Sequence, residues 1–388
     1  MLDAVSRLLH RRKRLSLPVR RAYGWARRRL QPDPLLSDPE FHSRFEWLRV
    51  TEWWSRPELE ALQLAQLRQL LRHAYEDVPY YHDQFDRLRL RPEDFRSLDD
   101  LQLLPLLTKD VVRRNPDRFL SRKADAARPN QVRSGGPMPL HRDQATADLH
   151  ETTFRLRQWM AAGYQPGDRL ATLIEGDATR PGPGDEEAWW DYDSRSNEIT
   201  LSLSHTTEAR MGDCLRLLAE FRPQFISAQP RSLETLCRFM RRHHLHLPGV
   251  EAVFCQSETV FPEGRRLIED QLGCPLYARY DMGPRVAHAA ECDRHRGYHV
   301  NMEYGVLELV DGDGRPITEP GVPGLVVGTG FDTYRMPLIR YVTDDVAEYA
   351  EGECDCGRHS PLVRHFRRGL GARLPVSVTH RGLSYAHY

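Results

Sequence analysis

No run of apolar residues in this 388-residue chain approaches the roughly 20 needed to span a bilayer, so no transmembrane segment is expected. An excess of charge of one sign is missing too, because 55 Lys and Arg stand against 55 Asp and Glu. That balance argues against a dedicated nucleic-acid binder, which carries a basic excess, and leaves a nucleotide open as a small ligand. The N-terminus is basic but lacks the apolar core of a secretory signal. Cysteines number seven and are unevenly spread. Cys214, Cys237, Cys255 and Cys274 stand singly in apolar segments and read as buried thiols, while the other three sit in polar stretches that contain glycine. This is no disulfide framework, and it points to a reducing cytoplasm. No internal repeat is present.

What is there sorts into three stretches. Residues 1–31 hold ten Lys and Arg against one acid, Asp3. Residues 19–30 read as a basic helix carrying Tyr23 and Trp25. It suits a membrane-surface or polyanion contact, or simply a solvated helix. Together, residues 1–56 make a basic helical N-terminal segment. From Pro57 leucines recur at helical spacing, as Leu59 and Leu62, Leu64 and Leu67, then Leu70 and Leu71. Thr108 is placed to cap a helix from Lys109. Strands over 169–174, 223–228, 250–255 and 275–279 alternate with helices over 211–221, Pro230–Arg242 and Pro262–Leu272, the last ended by Gly273. That order predicts an α/β body over 57–300 with a mainly parallel, helix-covered sheet. Residues 177–191, acidic and rich in Gly and Pro, read as a surface loop. Over 301–388 the pattern changes to a β meander. Strands over 306–310 and 324–329 flank the turn Asp311-Gly312-Asp313-Gly314, and two more follow over 338–342 and 346–349.

Several short phrases then fall in one order. They are His73-Ala74-Tyr75 with Val78-Pro79-Tyr80-Tyr81, Leu104-Pro105 with Thr108-Lys109, and Gly167-Asp168-Arg169. Later come Glu291-Cys292 with Gly297-Tyr298-His299, Pro337-Leu338-Ile339-Arg340-Tyr341, and Cys354-Asp355-Cys356-Gly357-Arg358. From about residue 60 to about 370 the chain resembles the phenylacetate–CoA ligase branch of the adenylate-forming superfamily. The resemblance implies the α/β large domain of those enzymes, with mainly parallel, helix-covered sheets and a C-terminal antiparallel β meander. It also implies ATP-dependent activation of a carboxylic acid as acyl-AMP, with Mg²⁺. The acyl group then passes to CoA, to a carrier-protein thiol or to an amine.

Position by position the nucleotide motifs are reduced. The phosphate loop corresponds to Arg133-Ser134-Gly135-Gly136-Pro137, with one hydroxyl, two glycines and a proline that has no N–H. Tyr280 matches the adenine-stacking Tyr, but Pro284 stands where the family places a Mg²⁺-binding Glu, with Asp281 or Glu291 as substitutes. Arg340-Tyr341-Val342-Thr343-Asp344-Asp345 keeps the ribose-binding acid as Asp345. The hinge motif is reduced to Gly371-Ala372-Arg373, and the small mobile C-terminal domain of the family is expected to be absent. Cys255, Ser257 and Glu258 at a strand end, with His205, are expected to line a substrate pocket. No catalytic residue is evident.

Cys292 and His299, with six residues between them, and the pair Cys354 and Cys356 make a Cys₃His set that suits a closed, structural zinc site. His295 and His359 are rival ligands. Expected partners are a small carboxylic acid or acyl donor, with a partner enzyme or carrier protein. A homodimer stays open. The leading reading is an acyl-activating or acyl-transferring enzyme. The alternatives are a silent relative that binds a nucleotide or an acyl thioester, and an ATP-independent acyltransferase.

Overall fold

A computed structural model of the chain describes residues 17–30, 37–123, 130–133, 139–142, 144–175, 189–203, 207–369, 376–379 and 382–385. Two compact units result, one from residues 1–42 with 162–277 and one from 43–161 with 278–388. The chain enters each unit twice, so these units cut across the segment boundaries at 56 and 300.

The first unit holds the parallel sheet. Its strands lie in the order Ala252–Cys255, Phe225–Ala228, Leu170–Ile174, Glu198–Ser202, Trp190–Asp193, parallel except at the last, antiparallel edge. Phe225–Ala228 and Ala252–Cys255 are buried at every position, as strands covered on both faces must be. The helices Glu208–Phe221, Pro230–Arg242 and Pro262–Leu272 alternate with them. Thr207 caps the first by accepting a hydrogen bond from the Arg210 N–H, and Gly273 ends the third in the left-handed region at φ 68°. The edge strand Trp190–Asp193 takes up the end of the stretch expected to be loop; residues 176–188 lie outside the described set.

The second unit holds the antiparallel sheet. Its order is Gly305–Val310, Gly324–Gly330, Tyr341–Tyr349, Leu362–Arg367, Tyr298–Val300, Ala289–Glu291, Leu276–Tyr280. The two strands expected over 338–342 and 346–349 are one, Tyr341–Tyr349. Arg340 sits at φ 53°, which breaks extended backbone just before that strand begins.

Helices Arg56–Asp77 and Pro79–Leu88 bury Leu67, Leu70, Leu71, Tyr81 and Phe85 against Leu338, Ile339 and Tyr341. Ser55 starts the first with a capping box, its N–H donating to Glu58 at 2.8 Å. Phrases far apart in the sequence meet here. The Tyr81 hydroxyl donates to the Pro337 carbonyl (3.0 Å) and accepts from the Ile339 N–H (2.9 Å). Leu107 N–H donates to the Arg340 carbonyl and the Val342 N–H to the Leu107 carbonyl, both at 2.9 Å. These phrases form one packed joint.

Candidate functional site

The Cys₃His set assembles. Cys292 follows the strand Ala289–Glu291, His299 lies in Tyr298–Val300, and Cys354 and Cys356 lie in the turn before Leu362–Arg367. Their four ligand atoms lie within 4.8 Å of one another. Cys292 Sγ and Cys354 Sγ are 3.7 Å apart, and Cys356 Sγ is 3.3 Å from His299 Nε2. A zinc tetrahedron with bonds of about 2.0–2.3 Å has edges of about 3.3–3.8 Å, so the donor set fits that ion. His299 Nδ1 faces Ser360 Oγ at 3.3 Å, which leaves Nε2 for the cluster. His295 is held by Glu291 at 3.4 Å and is not in the cluster, nor is His359. Burial pushes the Cys292 thiol up to about 12 and the His299 imidazole down to about 4.

An ionic chain runs from this cluster into the core. Arg358, two residues after Cys356, lies over the Trp53 ring (4.7 Å) and 3.5 Å from Glu52. Glu52 is 3.7 Å from Arg157. Arg157 donates to Glu303 Oε1 at 2.7 Å, to Asn301 Oδ1 at 2.9 Å and to the Leu48 carbonyl at 2.9 Å. Thr51 also donates to Glu303, at 2.7 Å. Arg157 and Glu303 are both buried.

Tyr280 and Asp345 meet as well, but their binding capacity is already used. Phe366 stacks on Tyr280 with ring centroids 3.9 Å apart and planes 7° off parallel. The Arg368 guanidinium lies over the same ring at 4.9 Å, and only 1% of Tyr280 is exposed. Tyr280 Oη donates to Asp345 Oδ2 (2.8 Å), and the Gly369 N–H donates to Asp345 Oδ1 (2.9 Å). Burial, with the Asp345 carboxylate beside it, drives the Tyr280 phenol well above its usual range. Burial also raises the Asp345 carboxyl, although Gly369, Tyr280 and Arg368 pull it down. Residues 366–369 thus clasp both side chains at once.

The remaining nucleotide candidates are engaged elsewhere or lie outside the described residues. Asp281 pairs with Arg279 at 2.8 Å and with Arg368 at 3.9 Å. Burial pushes its carboxyl up, but the Arg279, His288 and Arg368 charges outweigh that and hold it below the ordinary range. Glu291 accepts from the Ala278 N–H at 2.8 Å and faces His295. No carboxylate of this stretch stands ready for Mg²⁺. Arg340, singled out in the ribose motif, is a structural residue here. Its guanidinium forks onto Glu308 at 2.9 and 3.2 Å and donates to the Leu104 carbonyl at 2.7 Å. Arg340→Lys keeps the charge but loses the planar fork, and is expected to cost about 2 kcal/mol in denaturant unfolding. An unchanged midpoint would contradict that role.

Ser134, Gly135, Gly136, His205 and Arg373 lie outside the described residues; the first three fall between the paired strands Asn130–Arg133 and Pro139–Arg142. In the first unit Cys255 is 1% exposed, Ser257 sits at φ 68°, and Glu258 accepts from the Arg231 N–H at 3.2 Å. Sequence reading passed over Phe366 and Arg368. It also passed over Glu151, a carboxyl raised by burial that receives the Tyr304 hydroxyl and faces Arg285 at 3.5 Å. None of these carries a local pattern; each acquires its surroundings from residues distant in the chain.

No family model matches the chain. Its fold is that of the large domain of adenylate-forming CoA ligases. A 2-hydroxyisobutyryl-CoA ligase, in an open conformation with 2-HIB-AMP and CoA, matches with a TM-score of 0.64 over 80% of this chain and 75% of that one, at 19% identity. In sequence the chain is a distant homologue of phenylacetate–coenzyme A ligases. The enzyme of Thermus thermophilus is 26% identical over 314 residues, 78% of this chain and 68% of the relative. That of Escherichia coli is 28% identical over 312 residues, 76% and 68%.

Proposed function

We propose that the chain handles an acyl group activated elsewhere and does not make acyl-AMP from ATP. The supporting observation is the clasp. The side chains matching the adenine and ribose contacts, Tyr280 and Asp345, are satisfied by Phe366, Arg368 and the Gly369 N–H. The carboxylates nearest the motif are paired with cations or backbone, and Pro284 offers no metal ligand, so Mg²⁺ has no evident seat. The donor is then a thioester of CoA or of a carrier protein, and the acceptor an amine or alcohol. Attack on the thioester carbonyl forms the C–N or C–O bond, breaks the C–S bond and leaves the acceptor's proton with the departing thiol. The protein's part is to bind, orient and exclude water. Cys255, Ser257, Glu258 and His205 remain its pocket candidates. The Cys₃His cluster holds zinc in a closed, structural role, in a reducing cytoplasm that keeps the thiols available.

Thiol release from a panel of acyl-CoA and carrier-bound donors, with and without amine and alcohol acceptors, tests this reading. Release that depends on the acceptor is expected; none from any donor would leave a binding protein instead. One observation favours a second reading. Arg368 and Gly369 follow the strand Leu362–Arg367, so movement of that short end would free Asp345 Oδ1 and lift the guanidinium off Tyr280, while Phe366 stays in the sheet. An ordinary ligase would then be seen here in a closed form.

A further inference from the structure

A cavity of about 40 Å³ lies in the second unit beside the Cys₃His cluster. Arg157 and Gln158 of the helix Gln144–Ala161 line it, with Cys292 and His299 of the cluster and with Glu52 and Arg358 of the ionic chain. Three of these side chains have hydrogen-bonding capacity to spare. Gln158 is 6% exposed; its Nε2 donates to the Ala278 carbonyl at 2.9 Å, while its buried Oε1 accepts from no described residue. Arg157 commits its two terminal nitrogens to Glu303, Asn301 and the Leu48 carbonyl, but its Nε has only Glu52 Oε2, at 3.7 Å. Glu52 Oε2 is 3.5 Å from the Arg358 guanidinium as well, so both of its ion pairs are too long to be hydrogen bonds.

Buried polar groups are nearly always paired, so a donor and two acceptors that face one cavity call for an occupant. Their chemistry selects it. An anion would meet the Glu52 carboxylate and the Gln158 oxygen, and a metal cation would meet two guanidiniums. An apolar molecule would leave all three groups unmet, and the cavities that stay dry are apolar ones. A neutral molecule that both donates and accepts satisfies the whole set. Water does so, and at about 10–15 Å³ each the cavity has room for about three.

We propose that this cavity is a water site, in which about three fixed waters join Gln158 Oε1, Arg157 Nε and the Glu52 carboxylate into one network. A bridging water is nearly as good as a direct hydrogen bond. The two loose ion pairs of Glu52 thereby become bridged ones, and the path from Arg358 at the cluster to Arg157 in the core is hydrogen-bonded throughout. The inference stands apart from the acyl chemistry and from the metal.

A crystal structure of the full chain at high resolution should show ordered waters within hydrogen-bond reach of Gln158 Oε1, Arg157 Nε and Glu52. In solution, relaxation dispersion of the water signal counts waters held for longer than the protein takes to tumble. Gln158→Met keeps the volume and removes the acceptor, so its count should fall below the parent's by about one. Phe261→Ser, which changes an exposed side chain outside the cavity, should leave the count unchanged. A cavity without ordered water at these atoms would overturn the proposal. So would an ion or organic molecule in their place, or an equal count in Gln158→Met. Should that variant fail to fold, the crystal structure of the parent decides alone.

Discussion

With zinc in the Cys₃His cluster as proposed, Cys354→Ala is expected to abolish metal binding and to cost the second unit about 4 kcal/mol or more. For a unit of this size that is roughly 8–16 °C in melting temperature. Three thiols and an imidazole converge within 4.8 Å in a mostly buried place. Without a metal, burial keeps the Cys292 thiol protonated, and the cluster is a knot of poor hydrogen bonds. With zinc, the same atoms tie the strands Ala289–Glu291 and Tyr298–Val300 to the turn before Leu362–Arg367. Three thiolates and one Zn²⁺ leave a net negative charge, and the Arg358 guanidinium close by in the chain is placed to offset it. Metal analysis of the parent should give about one zinc per chain. A Cys354→Ala protein with unchanged zinc content and unchanged melting would refute the metal centre.

Glu303→Ala should destabilise by about 3–5 kcal/mol, because it abandons the Arg157 charge in the core. Arg157 and Glu303 are 8% and 3% exposed, and their 2.7 Å contact is reinforced by Asn301, Thr51 and Leu48. Burial alone would raise the Glu303 carboxyl; the Arg157 charge and hydrogen bonds from Arg157 and Thr51 outweigh it and hold it below the ordinary range. A carboxyl depressed in the folded state stabilises above its unfolded pKa, and that contribution fades as pH falls through the folded value. The gap between parent and Glu303→Ala should therefore narrow in acid. Replacing both partners with apolar residues of similar volume, as Arg157→Met with Glu303→Leu, should recover much of the loss. Denaturant midpoints across pH decide it, and a single variant as stable as the parent at neutral pH would show the pair to be inert.

How much of this was legible in the sequence depended on whether the signal was local. Helices Pro230–Arg242 and Pro262–Leu272 were readable to the residue, because proline marks each start and apolar spacing each face. The helix Gln144–Ala161 was not, since its buried residues include His150, Thr153, Arg157 and Gln158, and burying polar groups erases the apolar period. The hairpin of Trp190–Asp193 with Glu198–Ser202 hid behind a polar turn, in which Asn197 takes φ 59°. The Cys₃His cluster was legible because thiols and imidazole at such spacings have few other uses. Tyr280 and Asp345 were legible as identities. Their surroundings were not, because Phe366 reaches Tyr280 from 86 positions away and nothing in its own neighbourhood announces it. The partner of Arg340 was hidden for a related reason: Glu308, which its guanidinium meets, belongs to a different strand.

Pyrophosphate exchange into ATP, measured with the purified full chain, Mg²⁺ and a panel of carboxylic acids, tests the central claim most directly. With Tyr280 and Asp345 closed by residues 366–369 and no carboxylate of that stretch free for the metal, exchange should stay at the level of a no-enzyme control for every acid. Brisk exchange with any acid would show that the clasp opens and that the chain activates its own substrate.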